Sequence, residues 1–547
     1  MNALRETEGN ILHHDTMADL IVRRLAARGV RRMFGVPGGD CNLDIIEAGQ
    51  RHGIAFVLTR TETSGAIMAS VEAELTGAPG VVMTTRGPGL ANAANGVAYA
   101  SLDRSPLVVI ADQYEAKLDF VSHQRIDQAA LLRPLTKGES WLDSEDPGAE
   151  LEDLLDRATA QPPGPVYLEI NGPRVRAPVP NATGAGSPRP ATPPKPDVTL
   201  PEAALRLVQA AKRPIVLAGL QARMPNAAAA LRRLVARWAC PVLTTYKAKG
   251  VASDYDEHTL GCYIGGVAEA ETIQSADLIL LCGFDPIEGP PTAWRYTAPL
   301  LEVTEHAFAL DTIPPTVSLV GPIDATMDAL AAARTGSGWS PAEMEAAKAA
   351  IRARALVGTG GPIAPQDVVL AALDAAPAAC RVTVDSGAHM LSVLHLWSSA
   401  QPNDMLVSRG LATMGFALPA AIGSALAEPD RPVLAFTGDG GLMMCTAELG
   451  TAVQNKCKLV LIVFNDDCLT LIRAKQRRRQ LPNAGVDFAP ADFALIARGF
   501  GCSAFRVERL DELRPAIAAA FAADGPAVID VVVNPSAYDD QIMALRG

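Results

Sequence analysis

Short apolar runs that alternate with alanine-rich helical stretches constrain this chain more than any other feature. Between two composition breaks, the runs Pro214 to Gly219, Pro241 to Thr245 and Asp277 to Gly283 are each separated by a stretch of helix length. The other two thirds show the same alternation. Strand-helix repetition of this kind implies parallel sheets with helices on both faces, because parallel strands need crossover connections. The first break, residues 178 to 196, holds seven prolines among Gly, Ala, Ser and Thr and reads as an extended linker. The second is Gly358 to Pro365. The fold class expected is therefore α/β, with three doubly wound parallel-sheet domains at 12–178, 199–336 and 365–547, joined by linkers at 179–198 and 337–364. A chain of 547 residues is long enough to give each domain its own core.

Bulk properties exclude several classes. A net charge of −12 argues against a nucleic-acid binder or a basic membrane-surface protein, despite the local basic run Arg473 to Arg479. Nine cysteines without a Cys-x-x-Cys pair indicate neither a disulfide framework nor a zinc site, and fit a reducing cytoplasm. Met1 to Asp19 lacks the apolar core of a signal peptide. Gly410 to Ala427 is uncharged, but its glycines, proline and hydroxyls fit a buried loop and packed helix, so no membrane partner is expected.

The chemistry concentrates near the C-terminus. Pro432 to Phe436 and Lys458 to Phe464 read as buried strands whose ends deliver Gly438-Asp439-Gly440-Gly441 and Asn465-Asp466-Asp467-Cys468. Two carboxylates at one edge of a parallel sheet, beside glycines that let amides approach an anion, suit a Mg²⁺-diphosphate. This pairing resembles the motif of the thiamin-diphosphate-dependent enzymes, and the Asn-Asp pair is similar to that of the catabolic acetolactate synthases. The resemblance extends over the whole chain as pyrimidine-binding, middle and diphosphate-binding domains. It implies Mg²⁺ held by Asp439, Asp466 and the Cys468 carbonyl. It places Gly38, Gly387, Ala388, His389, Ala412, Met414, Gly438, Gly440, Gly441, Asn465 and Leu469 at the cofactor, with Met414 as the apolar wedge and the Ala412 carbonyl facing the 4′-amino group.

In the first third, Arg60-Thr61-Glu62 enters a helix and is similar to the family's Arg-His-Glu pattern, which assigns Glu62 as the carboxylate that shifts a proton at the cofactor's pyrimidine. Thr61 replaces the usual His. Thr84 to Asn92 resembles the family's glycine-proline loop, with Arg86 in place of a small hydroxyl residue, where it meets either an anionic substrate or a surface acid. His123-Gln124-Arg125-Ile126-Asp127 is similar to the catabolic synthases and places His123 and Gln124 at the reaction pocket. Gly283 to Glu288 also resembles those relatives rather than the flavin-retaining ones, so FAD is not expected. A helix after Asp466 should carry Leu469, Leu471, Ile472 and Lys475 toward the pocket mouth, Lys475 standing where relatives have Trp or Gln.

The expectation is thus a cytoplasmic, acetolactate synthase-like enzyme. It would decarboxylate a 2-oxo acid and ligate the product to a second carbonyl, as a homodimer or homotetramer with active sites between chains. The alternatives are a simple 2-oxo-acid decarboxylase or a thiamin-dependent carbon-carbon lyase.

Overall fold

The computed structural model describes residues 15–179, 198–289, 293–308, 313–358 and 363–547. Among the described residues, eighteen strands form three six-stranded sheets. The first comprises β1 (Arg32–Val36), β2 (Ala55–Leu58), β3 (Gly80–Thr84), β4 (Leu107–Gln113), β5 (Glu139–Ser140) and β6 (Val166–Asn171), ordered β2-β1-β3-β4-β6-β5. The second comprises β7 (Pro214–Ala218), β8 (Val242–Thr244), β9 (Thr259–Cys262), β10 (Leu278–Cys282), β11 (Leu300–Thr304) and β12 (Val317–Val320), ordered β12-β11-β10-β7-β8-β9. The third comprises β13 (Arg381–Val384), β14 (Met405–Val407), β15 (Val433–Gly438), β16 (Leu459–Asn465), β17 (Ser503–Val507) and β18 (Ala527–Val532), ordered β14-β13-β15-β16-β18-β17. The register is parallel in all three, for example Val433↔Leu459 through Gly438↔Phe464. Strands β15 and β16 are buried almost residue by residue, which is why their sequences are unbroken apolar runs rather than alternating ones.

The chain divides into two compact units between residues 191 and 192. The first unit has its own core, built from residues such as Ile21, Val108 and Leu168. In the second unit the third sheet's core also takes in Tyr246, Cys262 and Ala268 of the middle domain, so the second and third sheets share one body.

One boundary needs correction. Residues 337–364, expected as linker, contain the helix Pro341–Ala355, which Ser340 and Glu343 start with a reciprocal capping box. Alanine, glutamate, lysine and arginine sustain it, and these helix formers outweigh the glycine-rich break that follows. The expected linker 179–198 lies, apart from its two ends, outside the described residues. Gly410 to Ala427 becomes a loop and the buried helix Ala417–Ala427. Among the described residues no helix is long and apolar enough to cross a membrane.

Candidate active site

In the third sheet β13, β15 and β16 lie side by side, so their carboxyl ends bring three loops to one edge. The loop after β16 turns back at Asp467, which adopts φ +54 in the left-handed region. That turn aims the amides of Asp466 and Cys468 at Asp439 Oδ2, which accepts from them at 3.2 and 3.3 Å. Asp466 Oδ2 in turn accepts from the Thr470 hydroxyl at 2.7 Å. Burial, and then the neighbouring charge of Asp439, push the Asp466 carboxyl up to about 7. Burial also raises Asp439. Neither carboxylate has an ion-pair partner, and no group of three or more His, Cys, Asp or Glu gathers here, among the described residues. Two acids alone, with amides fixing one of them, fit a hard divalent cation that takes its remaining oxygens from a carbonyl, water and phosphate.

These residues line a cavity of about 330 Å³. Its wall includes Ser386 to His389, Ala412, Met414, Gly438 to Gly441, Cys468 and Leu469. His389 stacks on Phe464 with ring centroids 5.2 Å apart, and burial drives its imidazole down to about 3, so it is neutral. Its Nε2 and the Ser386 hydroxyl are buried without a hydrogen-bond partner among the described residues. Orphaned polar atoms at a cavity wall are expected to meet a ligand or water, and phosphate oxygens suit both. Gly387 leaves room for the imidazole, since a Cβ there would lie 2.6 Å from His389 Cε1. The glycines of the metal loop serve packing as well: a Cβ would lie 2.9 Å from Leu469 Cδ2 at Gly440, and 2.9 Å from Asp385 Oδ2 at Gly441.

Asp385 is the site residue that sequence reasoning passed over. Fully buried, it accepts from the amides of Ser386 at 2.8 Å and Gly415 at 3.0 Å, and from the Thr437 hydroxyl at 3.0 Å. It thereby ties the loops after β13 and β14 to the end of β15. Burial lifts its carboxyl to about 6. The tied loop is bent, with Ala412 at φ +53 and Gly415 at φ +77, and it presents Met414 half-buried on the cavity wall rather than in the core. Tyr246, Arg409, Tyr538 and Arg546 also line the cavity and carried no motif.

Two expected site residues do not line the cavity. Asn465 is not brought to the cavity: its amide donates to Asp530 Oδ1 at 2.9 Å and the Ala491 carbonyl at 3.0 Å. Side chains alternate along a strand, so where Phe464 and Asp466 face the cavity, Asn465 faces away. Lys475 is exposed and absent from the cavity wall, one turn beyond Leu471 and Ile472, which do line it.

In the first unit, Glu62 opens the helix Glu62–Thr76 and is 8% exposed. Thr61 caps that helix, its hydroxyl accepting from the Ser64 amide at 3.2 Å, which gives this Thr a structural reason. Asn92 donates to Glu62 Oε2 at 2.5 Å, and a Cβ at Gly89 would lie 3.1 Å from Oε1, so the glycine-proline loop packs directly on the carboxylate. Arg86 is engaged internally: it bonds Asp40 at 3.0 Å, approaches Asp112 at 3.8 Å and stacks over Tyr114 at 4.1 Å. Gly87, at φ +64, donates its amide to Gln128, a buried residue missed in the sequence. Gln124 is exposed and lines a separate cavity of about 540 Å³ with Arg86 and Tyr114, whereas His123 is exposed and lines neither cavity. Gly38 is set by packing, since a Cβ there would lie 2.4 Å from Asp112 Oδ2.

Models of the thiamine pyrophosphate enzyme N-terminal binding, central and C-terminal binding domains match residues 15–131, 201–330 and 385–531. A catabolic acetolactate synthase from Raoultella terrigena is 30% identical, with 94% of this chain and 95% of that protein covered. The chain belongs to the thiamine pyrophosphate enzyme family. An acetolactate synthase of Bacillus subtilis is 29% identical over 96% of the chain and 94% of its own length. Among solved structures, a Rhodococcus jostii thiamine diphosphate-dependent 4-hydroxybenzoylformate decarboxylase shares this thiamine pyrophosphate enzyme fold. Its TM-score is 0.81 at 23% identity, covering 95% of this chain and 99% of that one.

Proposed function

We propose that the protein is a Mg²⁺- and thiamin-diphosphate-dependent enzyme that decarboxylates a 2-oxo acid and joins the remaining fragment to a second carbonyl, as acetolactate synthases do. The observation that carries this reading is the pair of buried carboxylates, Asp439 and Asp466, without a cation partner among the described residues, beside the orphaned His389 Nε2. Asp439, Asp466 and the Cys468 carbonyl would hold the metal, with His389 and Ser386 turned to the diphosphate. Bound thiamin diphosphate supplies an acidic thiazolium carbon that adds to the ketone and accepts the electron pair left when CO₂ departs. Glu62 would hold a proton at the cofactor's pyrimidine, a general acid-base role that its buried, Asn92-bonded carboxylate suits. Met414, on the cavity wall, would pack against the cofactor.

The middle domain supports function without FAD. Its strand order reverses between β10 and β7, where a dinucleotide phosphate would take backbone amides. There the buried Glu288 carboxylate accepts from the Leu220 amide at 2.7 Å and the Asp285 amide at 3.2 Å, and bonds the Thr245 hydroxyl. A carboxylate of the chain itself at this switch point is what favours the reading without FAD.

We further propose a cytoplasmic homodimer or homotetramer in which Glu62 of one chain serves the cofactor held by its partner. Mixing Glu62→Gln and Asp439→Ala chains should then recover activity, and no recovery despite subunit exchange would contradict the shared site. The reaction itself is tested by offering a panel of 2-oxo acids to the cofactor-loaded protein and weighing the products. A ligated hydroxy-oxo acid is expected, whereas an aldehyde alone would assign a simple decarboxylase.

A further inference from the structure

The C-terminal domain model ends its match at residue 531, so the helix Ser536–Arg546 lies outside it, yet that helix gives Tyr538 to the wall of the cavity that holds the two carboxylates. Sheet topology brings it there. The helix follows β18, which pairs with β16 up to Asn465↔Val532, so it starts from the same carboxyl edge that presents Asp466.

Two side chains anchor this helix. Gln541, 1% exposed, accepts from the Ser392 hydroxyl at 2.8 Å and donates to the Ala355 carbonyl at 2.6 Å. Asp539 accepts from Arg477 at 2.5 Å, on the helix Thr470–Arg478. Ser392 belongs to the helix His389–Leu396. Residues three apart share a helix face, so Tyr538 stands one turn before Gln541 as His389 stands one turn before Ser392. Both of these earlier residues line the cavity. The last helix is thus tied to the helix that opens with His389 and to the one whose Thr470 bonds Asp466.

Tyr538 is 2% exposed, and its hydroxyl makes no hydrogen bond among the described residues. An orphaned phenol is not by itself a site, since the Tyr263 and Tyr296 hydroxyls are also buried without partners and line no part of this cavity. Tyr538 differs in its place. It shares the cavity wall with the orphaned His389 Nε2 and Ser386 hydroxyl. Burial raises its phenol well above the ordinary range, so it stays protonated and keeps a hydrogen to donate. A buried hydroxyl without a partner is costly, and a ligand oxygen at the wall would remove that cost. Neutral groups of this kind suit an anion whose charge a divalent cation already meets.

We propose that Tyr538 donates its phenol hydrogen to a phosphate oxygen of the bound diphosphate, which makes the C-terminal helix part of the cofactor site. This rests on the function proposed above, where His389 and Ser386 face the same diphosphate.

The test compares the wild type with Tyr538→Phe, which keeps the ring and removes only the hydroxyl. Calorimetric titration of thiamin diphosphate in the presence of Mg²⁺ should show at least about tenfold weaker binding to the variant, as for a lost hydrogen bond to a charged group. The same loss should appear with inorganic diphosphate and Mg²⁺, because the contact is to phosphate. The melting temperature of the cofactor-free protein should not change, while the rise produced by the cofactor should shrink. Native affinity in Tyr538→Phe, or a lowered cofactor-free melting temperature with the cofactor-induced rise intact, would overturn the contact. So would a loss seen with the cofactor but not with inorganic diphosphate. Unchanged cofactor affinity with a raised KM for the 2-oxo acid would also overturn it and give the hydroxyl to the substrate. A wild type that binds no thiamin diphosphate would strike the proposed function and this contact together, whereas every other contrary outcome leaves the proposed function standing.

Discussion

The first and third sheets wind six parallel strands in the same order, yet the corresponding edges are finished differently. In the first, Asp40 and Asp112 gather beyond β1 and within β4, and Arg86 supplies a cation at 3.0 and 3.8 Å from them. In the third, Asp439 and Asp466 gather beyond β15 and β16, and no basic side chain pairs with them among the described residues. A carboxylate pair at a sheet edge thus has an internal cation in one case and no ion-pair partner among the described residues in the other. The same topology yields one edge whose acids are met by the chain's own arginine and one whose acids are not, and the ligand-binding role proposed for the second rests on that difference.

The comparison breaks first at Glu62. If the first sheet's edge contributes chemistry and the third contributes binding, Glu62→Gln should cut turnover by about 10²–10⁴-fold while cofactor affinity is retained. Stopped-flow exchange of the cofactor's C2 proton would read this, and exchange at the native rate would remove Glu62 from the reaction.

Removing the built-in cation should make the first sheet resemble the third. Arg86→Met leaves Asp112, 1% exposed, without compensation and should destabilise the protein by about 2–4 kcal/mol, as for a broken buried pair. Burial already raises the Asp112 carboxyl. Its contribution to stability is therefore complete below its ordinary range and lost as pH rises through the raised value. The penalty should shrink as pH falls, and chemical denaturation at several pH values would show whether it does.

A milder perturbation concerns the second sheet, whose edge is closed by a carboxylate instead of a cation. Burial pushes Glu288 up to about 7. Because that value is raised, its contribution is complete at acid pH and declines as pH rises through about 7. Glu288→Gln should flatten the fall in melting temperature between pH 5 and 8, an effect on the order of 2 kcal/mol. A wild-type profile that is already flat would contradict the assignment. Least is expected of Lys475→Gln, which alters an exposed side chain off the cavity wall and should shift stability by no more than about 0.5 kcal/mol and leave acceptor preference unchanged.

Much of this contrast was legible in the sequence, for a physical reason. Unbroken apolar runs such as Leu459 to Phe464 announce strands buried on both faces, and an acid after such a run must emerge at the sheet edge, which located Asp439 and Asp466. Strand order was not legible, since it depends on crossover choices that leave no local trace. Neither was the direction of Asn465, where a single-residue alternation turned an expected cofactor contact into a tie to Asp530. Asp385 was not legible as a site residue, because the three loops it ties meet only in space. The helix Pro341–Ala355 was legible from its capping box and was obscured by the neighbouring glycines.

The incompleteness of the third sheet's edge is tested most directly by calorimetric titration of thiamin diphosphate with Mg²⁺ into the wild type and Asp439→Ala. The wild type should bind both together, with no comparable uptake of the diphosphate when Mg²⁺ is withheld. Asp439→Ala should lose both, because a divalent ion and a polyanion then lack a bridge. Native-like affinity in Asp439→Ala would contradict the account.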